Sequence, residues 1–231
     1  MRRPVATIRA GAALAAVFIE VPLCLALAQQ APSATVKLPD VRRQGAMSLE
    51  AALWARRSTR TLTRDSIALA DVGQLLWSAQ GVNRLDGHRT APSAGATYPL
   101  ELYVVAARVR DLPAGVYHYL PRTHELETVT TGGRLQALVD SATRQAWQAD
   151  AAAVFVFAAV YERAAQRYRD RAERYVPMDA GFAAQNLYLQ AAALHLGTTF
   201  AGSFQDTTLA RVIGLPAGQR PLGVMPVGHP R

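Results

Sequence analysis

Ala151-Ala152-Ala153-Val154-Phe155-Val156-Phe157-Ala158-Ala159-Val160 is an unbroken apolar run carrying β-branched and aromatic residues. A half-exposed strand would alternate with polar residues. This run does not, so it reads as a central strand covered on both faces. Leu100 to Ala107 has the same β-branched and aromatic content. Val116–Leu120 and Glu125–Val129, joined through Pro121-Arg122-Thr123-His124, read as a hairpin, and Leu222–Val227 as a closing strand. Between the strands the spacing turns helical. Ser48 is placed to cap a helix presenting Leu49, Leu53 and Trp54, and residues 69 to 80 carry Leu69, Val72, Leu75, Leu76 and Ala79 up to a stop at Gly81. Leu135, Leu138, Val139, Ala142 and Ala146 mark another helix. Met178 to Leu196 is a long one, apolar on several faces, and Asp206–Ile213 is a short one stopped by Gly214. Helices and strands alternate irregularly, which predicts an α+β sandwich rather than a doubly wound sheet.

The chain has 231 residues and a formal charge of +8. Arg2, Arg3 and Arg9 precede a mostly apolar stretch ending in Ala26-Leu27-Ala28, the pattern of an export signal over residues 1–28. Glu20 and Pro22 interrupt that stretch, so no stable membrane span is expected; an uncleaved N-terminal anchor is the alternative. Export predicts a periplasmic protein, by the general or the twin-arginine route. Residues 29–46 read as a flexible lead-in and 47–231 as one domain. Cys24, the single cysteine, lies within the signal-like segment, leaving no thiol chemistry to the remainder. Basic and acidic residues are interleaved and no nucleic-acid module is recognisable, so binding of DNA or RNA is not expected.

His88, His118, His124, His195 and His229 show no helical metal-pair spacing, and no metal site is expected. His195 reads as a core imidazole, and His118 as exposed or hydrogen-bonded. Ser93, Asp179 and His195 make a triad only on paper, since no Gly-x-Ser-x-Gly elbow is present. Arg163, Arg167, Arg171 and Arg174 recur at helical spacing beside Tyr161, Tyr168 and Tyr175. That pattern reads first as a solvated helix face balanced by Glu162, Asp170 and Glu173, and second as the mouth of a cavity attracting an anion.

Two segments carry the chemistry. Arg56-Arg57-Ser58-Thr59-Arg60 packs three guanidiniums and two hydroxyls into five residues, and guanidinium to phosphate is the strong, potentially bidentate hydrogen bond. Ala91-Pro92-Ser93-Ala94-Gly95-Ala96-Thr97-Tyr98-Pro99 is poor in side chains, so its amides can approach a flat ring. In order along the chain come these two, then Gly115-Val116-Tyr117-His118-Tyr119, Asp179-Ala180-Gly181, Gln185-Asn186-Leu187-Tyr188-Leu189 and Pro226-Val227-Gly228-His229-Pro230. That series, over about residues 46 to 230, resembles the nitroreductase family, and within it the SagB-type thiazoline and oxazoline dehydrogenases of peptide maturation.

The resemblance implies a central mixed sheet flanked by helices and an FMN-dependent oxidoreductase. It also implies a homodimer with a flavin at each of two subunit interfaces, the Met178–Leu196 helix lying at the dimer core. By position, Arg56, Arg57, Ser58 and Arg60 would hold the phosphate and ring edge, and Pro92, Ser93, Ala94, Gly95 and Ala96 would line the ring. Gly202 and Ser203 would pass near the reactive ring nitrogen, with His229 close to the phosphate. Arg167-Tyr168 stands where azoline-oxidising relatives use a Lys-Tyr pair and is the candidate substrate-side pair. An arginine is no proton-transfer base near neutrality. The expectation is therefore two-electron transfer from a reduced donor to a small acceptor such as a quinone or nitroaromatic. Azoline dehydrogenation and a non-catalytic flavin-binding subunit are the alternatives.

Overall fold

The computed structural model describes Met1 and residues 34–231; the signal-like segment and Cys24 lie outside the described residues. Among the described residues there are nine strands: β1 Thr35–Lys37, β2 Ile67–Ala68, β3 Leu100–Ala106, β4 Val109–Arg110, β5 Gly115–Leu120, β6 Glu125–Thr131, β7 Ala153–Ala159, β8 Gly197–Thr198 and β9 Arg220–Gly228. Six helices accompany them: α1 Leu49–Ala55, α2 Leu69–Gln80, α3 Leu135–Ala137, α4 Tyr161–Tyr168, α5 Ala172–Ala193 and α6 Asp206–Ile213.

The apolar run becomes β7, every residue of it buried, between β3 and β9 in a seven-stranded sheet ordered β1-β6-β5-β3-β7-β9-β8. Its side chains alternate between two cores, as strand geometry dictates. Phe155 and Phe157 join Leu75, Leu76, Val176 and Leu187 of α2 and α5 on one face. Val154, Val156 and Ala158 join Leu138, Leu209 and Ile213 on the other. A strand with helices over both faces has no polar face to show, hence the absence of alternation. The named pairings of the large sheet are antiparallel. Parallel ones come from β2 with β4 and from the Ser58–Thr198 bridge beside β8, so the assembly is mixed and α+β.

The structure revises four local expectations. Part of the lead-in is docked: β1 pairs with β6, and Leu38 is 2% exposed. The helix expected up to Ala146 is α3 followed by a π turn, Leu138–Thr143, that ends at Arg144 with φ 53°; Ala146 opens a separate 3-10 turn. The long helix α5 starts at Ala172, six residues ahead of Met178, and runs through Pro177. Pro177 stands in the second turn, where it removes the bond to the Glu173 carbonyl without stopping the helix. The arginine stripe is not one helix either, because α4 ends at Arg169 with φ 51° and α5 begins afresh three residues later.

Candidate functional site

The chain leaves α1 with the Arg56 amide bonded to the Ala52 carbonyl and then runs along β8. Thr59 N–H donates to the Thr198 carbonyl at 2.9 Å, and Thr199 Oγ1 donates to the Thr59 carbonyl at 2.9 Å. Gly197 permits this approach: a Cβ there would lie 2.8 Å from Thr59 Cγ2. On the other side, Thr63 N–H donates to the His229 carbonyl at 2.8 Å and Arg231 N–H to the Thr61 carbonyl at 3.1 Å. The C-terminal segment with His229 is thus stapled next to Arg60. Tyr188 of α5 supports the cluster from beneath. Its Oη lies 3.3 Å from Ser58 Oγ and accepts from Phe200 N–H at 2.6 Å, and the Arg56 guanidinium sits 5.4 Å over its ring. The tip of the Phe200 ring in turn rests against Gly223 of β9, where a Cβ would collide with it.

Among the described residues, Arg56, Arg57 and Arg60 form no ion pair with a carboxylate, and Arg57, Ser58 and Arg60 are exposed. A cleft of about 170 Å³ opens between Arg56, Arg57, Tyr188, His195 and Pro230. Two guanidiniums lining the cleft, Arg56 and Arg57, with Arg60 following in sequence and none of the three paired with a carboxylate among the described residues, suit a phosphate. His195 is not the core imidazole expected. The helix has ended, φ at His195 is 56°, and its exposed ring lines this cleft.

The second segment is built differently. Gly95, Ala96 and Tyr98 all take left-handed backbone, with φ of 56°, 53° and 44°. For Ala96 and Tyr98 that is a strained conformation, which persists only where the surroundings fix it. Asp179 of α5, 3% exposed, does so. Ser93 Oγ donates to its Oδ2 at 2.5 Å, Ala94 N–H reaches Oδ1 at 3.3 Å, and Tyr98 N–H donates to Ser93 Oγ at 3.0 Å. Burial raises the Asp179 pKa above its ordinary range, against the lowering effect of these two hydrogen bonds. The Arg167-Tyr168 pair of α4 closes over the turn: Arg167 Nη1 donates to the Gly95 carbonyl at 3.4 Å, and a Cβ on Gly95 would run into the Tyr168 hydroxyl. The first two arginines of the stripe therefore do more than face solvent. Arg163 also donates, to the Tyr98 carbonyl at 3.1 Å.

The expected residues thus fall into two groups in one chain. Arg56, Arg57, Ser58, Arg60 and His229 gather at the Tyr188 end of α5; Pro92, Ser93, Ala94, Gly95, Ala96, Arg167 and Tyr168 gather at the Asp179 end. The nine-step interval from Asp179 to Tyr188 along α5 advances roughly 13 Å and turns the facing side by about half a revolution. Gly202 and Ser203 are exposed beyond β8, just after the Ala201–Val224 bridge, and Gln145 Nε2 donates to the Ser203 carbonyl at 3.1 Å. The sequence reading missed Asp179, Tyr188 and His195 as parts of the site. Asp179 and Tyr188 stand in the Asp179-Ala180-Gly181 and Gln185–Leu189 segments, but α5 carries other polar residues as well, Gln185, Asn186 and Gln190 among them, so polarity alone does not single them out.

The family model described as the nitroreductase family matches residues 53–229. A Methanocaldococcus jannaschii protein named as a nitroreductase is 38% identical over 194 residues, covering 84% of this chain and 96% of that protein. The crystal structure of a protein from Ralstonia eutropha named as a nitroreductase aligns with a TM-score of 0.73 at 30% identity, over 85% of this chain and 90% of that one. The microcin B17-processing protein McbC of Escherichia coli is 31% identical over 134 residues, which is 55% of this chain and 48% of McbC. A chain of the E. coli microcin synthetase McbBCD complex aligns with a TM-score of 0.65 at 26% identity, over 74% of this chain and 67% of that one. With the antiparallel sheet, the guanidinium cluster and the strained turn where the pattern requires them, the chain belongs to the nitroreductase family, and its oxidoreductase fold is that family's.

Proposed function

We propose that this protein is an FMN-dependent oxidoreductase that moves two electrons from a reduced donor to a small acceptor such as a quinone or nitroaromatic. The observation carrying the reading is the guanidinium cluster, its Arg56 stacked on Tyr188 and its backbone tied to Thr198 through Thr59, with no carboxylate partner among the described residues. The residues fit the cofactor: Arg56, Arg57, Ser58, Arg60 and His229 would hold the phosphate, and the bare backbone of Pro92 to Ala96 would lie against the ring. A bound flavin supplies hydride acceptance and donation. The chain's own residues bind and orient it, and guanidiniums near it favour an anionic reduced form.

The two groups of residues face away from each other across α5, so a site using both is completed by a second copy, in a homodimer. The exposed Leu49, Leu53 and Trp54 of α1 and Met178 and Phe182 of α5, the last two 51% and 50% exposed, supply an apolar surface for it. Residues 1–28 support export to the periplasm, where the donor need not be a soluble nicotinamide.

Likeness to McbC favours a second reading, azoline oxidation in peptide maturation. Arg167 stands against it, since a guanidinium does not accept the proton that such an oxidation releases. The decisive experiment is to purify residues 29–231, record the visible spectrum, reduce with NADH, NADPH or dithionite, and reoxidise with a quinone or nitroaromatic. Bound FMN that cycles supports the reading. Flavin reduced by dithionite alone, exchanging with no donor or acceptor, would leave a binding subunit, and a protein that takes up no FMN would end both enzymatic readings.

A further inference from the structure

Beyond the ring-lining turn lies a second basic cavity. It has a volume of about 580 Å³, and Arg89, Arg122 and Arg163 line it together with Tyr98, Tyr119 and His118. Glu101 is its one carboxylate among the described residues, and it is engaged: Oε1 meets Arg163 Nη2 at 2.5 Å and Oε2 meets His118 Nε2 at 2.7 Å. Burial pushes the Glu101 carboxyl up, but the hydrogen bond from His118 and the charge of Arg163 outweigh it and hold it below its ordinary value. Arg89 and Arg122 therefore have no carboxylate to themselves among the described residues.

Arg89 is also held in place. Its Nη1 donates to Gln80 Oε1 at 2.8 Å and to the Leu100 carbonyl at 3.4 Å, and its guanidinium stacks 4.8 Å from the centre of the Tyr98 ring. Tyr98 is the residue in left-handed backbone that closes the ring-lining turn, and its Oη accepts from Arg89 N–H at 3.2 Å. Arg163 stands one helical turn before Arg167, which contacts Gly95. The cavity is thus continuous with the turn: same residue Tyr98, same helix α4. It offers one fixed guanidinium, Arg89, stacked on an aromatic ring, and a second, exposed one, Arg122, at its rim, an arrangement that suits a planar molecule with an anionic group.

We infer that this cavity is an anion-anchoring subsite, in which Arg89 and Arg122 hold a phosphate or carboxylate of the donor or acceptor while its reacting end reaches the turn at Gly95. The inference rests on the proposed flavin reading for the reacting end only; the anion site itself does not need a flavin. The test is calorimetric titration of the purified chain with inorganic pyrophosphate and, separately, with benzoate, at constant ionic strength. We expect a saturable site, separate from any anion binding at the Arg56–Arg60 cluster, that weakens about tenfold in Arg122→Ala and persists in Arg57→Ala, whose guanidinium belongs to the other cluster. The anion that binds identifies the source, phosphate or carboxylate. In turnover, KM for 4-nitrobenzoate rises about tenfold in Arg122→Ala while KM for the neutral 4-nitrobenzamide and kcat for both stay unchanged. Absence of saturable binding, equal loss in Arg57→Ala and Arg122→Ala, or equal KM changes for the two nitroaromatics would overturn it. Failure of the flavin reading looks different: a colourless protein in which the titrations still succeed.

Discussion

The two ends of helix α5 solve opposite problems. At Asp179 the chain supplies its own partner: a buried carboxylate takes the Ser93 hydroxyl and the Ala94 amide and holds a turn with left-handed residues. At Tyr188 the chain supplies only a platform for the half-buried Arg56, and Arg56 and its exposed neighbours Arg57 and Arg60 pair with no carboxylate among the described residues. The first end is complete without a ligand, whereas the second gains charge balance only when an anion arrives. A change at the first should therefore be felt in folding, and a change at the second in binding.

The largest effect is expected at the complete end. Asp179→Ala leaves two donors without acceptors, at about 1–3 kcal/mol each, offset in part by removal of a buried carboxylate. Chemical denaturation should show a net loss of about 2 kcal/mol, with flavin retention through gel filtration falling in step. Arg56→Ala sharpens the contrast. Stability should stay within about 0.5 kcal/mol, while loss of a charge-assisted contact weakens flavin binding roughly 10- to 100-fold, measurable by fluorescence titration. If the two variants behave alike, the contrast between the ends is wrong.

Next in size is Trp54→Ala, which removes a 92% exposed aromatic. Sedimentation velocity should show self-association weakened by about 2 kcal/mol, the scale of an interface aromatic, with the monomer's fold intact. The smallest effect concerns His118. Burial acts to lower its pKa, but hydrogen bonds and charge from Glu101 and then Glu127 raise it above 6.5 on balance. A raised folded-state pKa gives stability that is present in full below 6.5 and is lost as pH rises through the raised value. Urea midpoints of wild type and His118→Asn should therefore converge as pH climbs through that window; a constant difference would break the assignment.

The sheet was legible because its pattern is local. Val154 to Phe157 carries its own burial signal, and the β5–β6 hairpin and α2 carry their turn and stop residues. The start of α5 was not, because Pro177 and the arginine-rich stretch before it read as a boundary, whereas the helix runs through the proline in its second turn with the loss of one backbone hydrogen bond. The guanidinium cluster was legible as chemistry, being contiguous. The Asp179 clamp was not, since its partners lie 86 and 85 residues away in sequence and no periodicity announces such a pair. His195 was misjudged for a related reason: composition continued the helix through it, whereas the backbone had already turned left-handed.

Gly223 gives the cofactor cluster a remote point of control. Its missing side chain is what gives the tip of the Phe200 ring room against β9, and Phe200 presents the amide that pins the Tyr188 hydroxyl under Ser58 and Arg56. Adding a single methyl in the middle of the sheet would lift that ring, loosen the tyrosine and slacken the grip on the phosphate without touching any arginine. Variants that lose their yellow colour through residues well away from the cleft should be sought along this three-residue relay.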